Sequence, residues 1–279
     1  MPIHDQGYRR YGGGKAPRGR AWAVITRAGL RTLLGKRAFL GLLLFSWFPF
    51  FVRAVQIYAA ANLPQAAFLA PTPDTFRGFL EQQQTFVFFV TVYSGAGLIA
   101  NDRRANALQI YLSKPLTRAE YVFGKLAILM VCLLFVTWVP AMLLLILQIA
   151  FAGNFAFFVK NLFLFPAITV FAFVQVTLVA ATMLALSSLS RSGRYVGILY
   201  AAVIFFTQAM YGVLFAVTRS TSFSWLSFSA NLAQVGHVLF RQTPTYATPW
   251  PVSLMIIVGF VAVSGLILER RVRGVEVVA

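Results

Sequence analysis

Side chains able to meet a partner or carry a proton are concentrated in one short stretch of this chain. Asp102, Arg103, Arg104, Lys114, Arg118, Glu120 and Lys125 place seven charges within residues 102–125, whereas residues 126–159 carry none. That contrast marks a charged hairpin leaving a membrane between two apolar segments, and the chemistry it offers is docking to a soluble partner. Groups for bond making are absent elsewhere. The two histidines, His4 and His237, belong to no H-E-x-x-H pattern, and His237 reads as an interfacial residue ahead of a catalyst. Cys132 is the single cysteine, which excludes an internal disulfide or a cysteine-based metal cluster. No G-x-x-x-x-G-K-[ST] phosphate loop occurs: the pairs Gly14-Lys15, Gly35-Lys36 and Gly124-Lys125 are followed by Ala, Arg and Leu. ATP hydrolysis, if it drives this protein, belongs to another chain.

The elements that must hold the hairpin follow from composition. Of 279 residues 59% are apolar and 11% charged, against roughly a quarter charged in a soluble domain. Charge-poor windows predict six membrane-spanning helices at residues 38–60, 82–101, 126–150, 162–189, 195–217 and 252–268, each near the roughly 20 residues that cross the hydrocarbon core. With the N-terminus inside, nineteen of the twenty-four Lys and Arg residues fall in cytoplasmic segments. The net charge of +17 is then explained by topology and by attraction to anionic membrane lipid, and nucleic-acid binding becomes unnecessary. Both termini are expected in the cytoplasm of a multi-pass protein of the cell membrane. No cleavable signal is evident, so the first span is expected to be its own insertion signal.

Between the spans, residues 1–19 read as a disordered basic tail. Residues 20–37 project Trp22, Ile25, Gly29, Leu30 and Leu33 on one face and Arg20, Arg27 and Arg31 on the other, the pattern of a helix lying in the interface. In the hairpin at 102–125, Pro115 disfavours helix at Lys114 and ends a short helix predicted over 102–112, whose apolar face is Ala105, Leu108 and Leu112. Thr117 and Glu120 then form a T-x-x-E capping box, with Leu116 and Tyr121 as its hydrophobic staple, so the third helix starts in the cytoplasm. In the outer loop at 218–251, Trp225, Phe228, Leu232, Val235 and Leu239 are spaced for a short amphipathic helix beginning near Ser229. Such a segment either dips back into the membrane as an exit gate, with Trp225, Phe228 and His237 as candidate gate residues, or lies flat with aromatic anchors.

Within the spans, no Asp or Glu is found, which argues against a proton- or sodium-coupled carrier. Arg53 is the one charge in a span; it either meets an anionic substrate group or snorkels to the outer interface. Gln175 and Gln208, near the middle of the fourth and fifth spans, either bond between helices or line a pathway. Pro49 and Pro140 free backbone carbonyls and predict kinks.

The small-residue end of the second span (Ser94, Gly95, Gly97), the polar turn at residues 101–104, the LSKPLTRAEY segment at 112–121 and the Gly124-Lys125 pair resemble the hairpin of the membrane subunit of ABC-2 type ATP-binding cassette transporters. Where many such hairpins carry Glu, this chain has Asn101-Asp102. The resemblance implies an all-α, six-span permease with an N-terminal elbow helix, here residues 20–37, and re-entrant helices before the last span. It also implies a coupling helix that docks on an ATPase chain; Asp102, Arg103, Arg104, Ala105, Leu108, Leu112, Lys114, Thr117, Arg118 and Glu120 would form that interface. Two ATPase copies, carrying ATP and Mg, and a second permease subunit, identical or homologous, would complete an exporter, with no cofactor bound by this chain. The competing expectation is an ATP-independent carrier or a membrane scaffold.

Overall fold

The computed structural model describes residues 21–107, 116–151 and 156–272, and among these it contains helices and no strand. Six helices are long and apolar enough to cross a membrane: Arg37–Asn62, Pro73–Arg104, Arg118–Phe151, Leu164–Leu189, Gly193–Thr218 and Trp250–Arg271. They are preceded by α1 (Ala21–Leu34). The first span is α2 (Arg37–Ser46) and α3 (Phe48–Asn62); the second is α4 (Pro73–Gly95) and α5 (Ala100–Arg104). The third is α6 (Arg118–Val136) and α7 (Trp138–Phe151), followed by the short α8 (Ala156–Lys160). Then come α9 (Leu164–Leu189), α10 (Gly193–Thr218), α11 (Phe228–Leu239) and α12 (Trp250–Arg271).

The interruptions have identifiable causes. The breaks at Trp47 and Thr137 precede Pro49 and Pro140, each of which removes one backbone donor and crowds the preceding turn. The second span is longer than its charge-free window, because Arg77 pairs with Asp74 at 2.9 Å and with Glu81 along the helix surface. Pro73 at its first turn and reciprocal Thr72–Thr75 capping start the helix there.

The core centres on α4, α6 and α9. Toward the α4–α5 turn Ile99, Tyr121, Leu129, Met183 and Leu184 are buried, and toward the opposite end Phe76, Phe79, Leu164, Ile168 and Phe171 form a second cluster. Glycine sets the closest approaches. A Cβ on Gly124 would stand 2.9 Å from Ile25 Cβ and 3.0 Å from the Trp22 carbonyl, so α1 rests directly on the backbone of α6. Arg27 and Arg31 are exposed and Leu33 is buried, as the face read from the sequence requires, whereas Trp22, read on the same apolar face, is exposed. By contrast, α10 buries only Val196, Tyr200 and Tyr211 and presents an apolar outer surface that includes Ile198, Phe205, Phe206 and Val213.

Candidate functional site

Two regions combine polar chemistry with defined geometry: the charged end, where α5, α6, α9 and α10 converge, and a small cavity with a few polar groups in its lining between α4, α9, α10 and α11.

At the charged end, the small residues Gly95, Ala96 and Gly97 let the chain turn between α4 and α5 in close contact with α10; a Cβ on Gly193 would lie 3.3 Å from Gly97 Cα. Ser187 of α9 secures that turn. Its hydroxyl donates to the Ala96 carbonyl at 2.9 Å and accepts from the Ile99 and Ala100 N–H groups, each at 3.1 Å. Asp102 does not point to solvent. Its Oδ2 accepts from Tyr121 Oη and from Lys125 Nζ, both at 2.7 Å, and Lys125 also sits over the Tyr121 ring. Arg103 donates to the Ser188 carbonyl, and Arg191 and Arg271 stand close enough to act on its charge. The start of α6 has the capping box expected of it: Glu120 N donates to Thr117 Oγ1 at 3.2 Å and Thr117 N donates to Glu120 Oε2 at 3.0 Å.

The structure thus separates the predicted docking residues. Asp102 and Arg103 join the hairpin's two limbs to the fourth span. Arg104, Ala105, Thr117 and Arg118 are exposed. A left-handed Asn106 (φ 50°) turns the chain just past α5, and Asp102–Arg104 continue the second span. The helix predicted over 102–112 is not continuous, since α5 ends at Arg104 and the chain turns at 105–106; Leu108, Leu112 and Lys114 lie outside the described residues.

The second region is organised by α11. Ser227 caps it, accepting from Ala230 N at 3.1 Å, and both Ser227 and Ser229 donate to Gln208 Oε1 of α10, at 2.6 and 2.7 Å. Eight of its twelve residues are buried, with Gly236 against Phe171 and Phe228 against Phe260. The amphipathic reading differs here for a specific reason. Asn231 and Gln234 face inward, where Asn231 Nδ2 donates to the Trp225 and Ser227 carbonyls (2.8 Å each) and Gln234 Nε2 to the Thr248 carbonyl (2.7 Å).

Beside α11, a cavity of about 60 Å³ is lined by Gln84, Gln175, Tyr200 and Ser229 among Phe88, Phe228 and other apolar side chains. Gln175 is 1% exposed, and neither its amide nitrogen nor its oxygen has a hydrogen-bond partner. The cavity therefore offers donors and acceptors and no ionisable carboxylate, ammonium or guanidinium, a setting for a neutral hydrogen-bonding group or water. Three predicted pathway residues, Gln175, Gln208 and Phe228, meet around Ser229. The other three do not join them. Arg53 donates to Gln56 Oε1 at 2.9 Å on its own helix and points toward Gly78, in the N-terminal part of α4. Trp225 is exposed, and His237 is buried with Nε2 3.0 Å from Thr245 Oγ1 and its ring 6.4 Å from that of Tyr246. Burial, followed by the nearby Arg77 charge, pushes the pKa of His237 down. Sequence reasoning missed Ser187 and Ser229; the polar residues of the SSLS and SFS runs were a signal too common in membrane helices to be singled out.

Among curated proteins no relative matches the chain. The family described as ABC-2 family transporter protein matches residues 27–266, from within α1 to within α12. Six apolar spans, a helix lying on the third of them and a charged turn locked between the second, third and fourth agree with that match, and the chain belongs to the ABC-2 transporter family as a multi-pass membrane permease.

Proposed function

We propose that this permease is the substrate-conducting subunit of an ATP-driven exporter, working with two separate ATPase chains that bind ATP and Mg and with a second permease subunit. The observation that carries the reading is the Asp102–Tyr121–Lys125 junction together with the Arg103–Ser188 bond. A push on the exposed residues Arg104, Ala105, Thr117 and Arg118 would pass directly into the second, third and fourth spans. In this reading residues 102–112 include the coupling helix, α1 is the interfacial elbow, and the basic end where Arg103, Arg191 and Arg271 converge faces the cytoplasm. The apolar outer surface of α10 is where the second permease subunit packs, and substrate leaves past α11.

No Asp or Glu lies in the middle of a span, which leaves no group there to carry a coupling proton or sodium ion. The test is purification in mild detergent followed by reconstitution. A nucleotide-binding chain should co-purify, and transport should require ATP. Transport that continues without any ATPase chain, and collapses when an ion gradient is dissipated, overturns the proposal.

A further inference from the structure

A groove between α1, α2 and α6 has a volume of about 670 Å³, within the roughly 300–1,000 Å³ of ligand-sized clefts. Leu30, Leu34, Leu44, Trp47, Val131 and Phe135 help to line it, and it presents no polar surface. That excludes an extended peptide as occupant, because such a backbone laid there would leave its N–H and C=O groups unpaired. A hydrocarbon chain has no such groups. The groove also has a direction: from Leu40 to Trp47 it follows α2 for about 10 Å at 1.5 Å per residue, from the α1–α2 turn toward the middle of the first span.

The turn at its mouth is basic. Arg27, Arg31, Lys36 and Arg37 are all exposed, no Asp or Glu occurs in α1 or α2, and none of the four makes an ion pair among the described residues. We infer that the groove is a binding site for an anionic phospholipid, one acyl chain lying along Leu34, Leu44 and Trp47 and the phosphate meeting Arg31, Lys36 and Arg37. Charge complementarity chooses this occupant over a zwitterionic lipid, since Arg31, Lys36 and Arg37, none of them in an ion pair among the described residues, favour a net negative ligand.

The test uses Trp47 as the reporter. The full chain is placed in vesicles of phosphatidylcholine containing a minor fraction of phospholipid brominated on its acyl chains, with either a phosphatidylglycerol or a phosphatidylcholine headgroup. The component of fluorescence quenching lost in Trp47→Phe reports the groove. Brominated phosphatidylglycerol should occupy it at about a tenfold lower fraction of the membrane lipid than brominated phosphatidylcholine. Arg31→Gln combined with Lys36→Gln should abolish that preference while leaving quenching by phosphatidylcholine unchanged. Leu44 is 76% exposed, so Leu44→Trp in the Trp47→Phe background places a second reporter at the groove's open side without burdening the core, and it should show the same preference. Equal quenching by the two headgroups, a preference that survives in the charge variant, or quenching by neither, as when a second copy of the chain covers the groove, would overturn the inference. Neither transport nor an ATPase partner enters the measurement, so its result is independent of the proposed energy coupling.

Discussion

Replacing Asp102 tests whether the hairpin is joined to the bundle through one carboxylate. In Asp102→Ala, Tyr121 loses an acceptor and Lys125 loses its counter-ion, both at 2.7 Å, in a site where the Lys125 and Asp102 side chains are 13% and 18% exposed. A hydrogen bond to a charged group contributes about 1.5–3 kcal/mol, and breaking a fully buried pair costs about 3–5 kcal/mol. Partial exposure places this site at about 2–3 kcal/mol. For a chain of this size that is a fall in melting temperature of several degrees, at about 2–4 °C per kcal/mol. Asp102→Asn keeps an oxygen for the Tyr121 hydroxyl and loses only the charge, so its cost should be smaller. Lys125→Met removes the other partner. A double-mutant cycle of Asp102→Asn with Lys125→Met, followed by thermal unfolding in detergent, should give a coupling of at least about 1 kcal/mol. If Asp102→Ala melts with the parent protein, or if the two substitutions are additive, the pair does not hold the hairpin and the argument for force transfer through it fails.

Three other outcomes are expected. Gly124→Ala should lower the melting temperature more than Gly29→Ala: its new Cβ meets Ile25 Cβ and the Trp22 carbonyl, whereas that of Gly29 meets mainly the movable Ile128 Cδ1, and equal melting would refute the backbone contact of α1 with α6. Gln175→Leu should be neutral to stabilising by about 1 kcal/mol, because it removes a buried amide with no partner, yet slow transport if the cavity is on the pathway; clear destabilisation would mean the amide is already satisfied. His237 has its pKa lowered, so the fold favours the neutral ring: stability is full above the ordinary imidazole range and is lost as pH falls through that range toward the lowered value, and His237→Gln should flatten this part of the melting profile.

By itself the sequence determined much of what depends on neighbours along the chain, though not the early start of the second span at Pro73 or the end of α5 at Arg104. Windows without charge are long enough to cross a bilayer, and a helix satisfies its own backbone, so six spans could be read without knowing what any of them touches. The Thr117–Glu120 cap and the interruptions ahead of Pro49 and Pro140 are equally local, set within one turn of helix. What joins distant residues was decided only by the tertiary structure. Asp102 carries the same sequence signal as Arg104, yet it turns inward because Tyr121 and Lys125 arrive beside it on another helix. Ser187 becomes the anchor of the α4–α5 turn only because α9 passes it there, and Gln175 opens onto a cavity while Gln208 receives the cap of α11. In a membrane helix nearly every position is apolar, so hydropathy identifies the spans and says little about their rotation. Which face turns inward is fixed by close approach at glycines and by the pairing of a few polar groups, and those are properties of the assembled bundle.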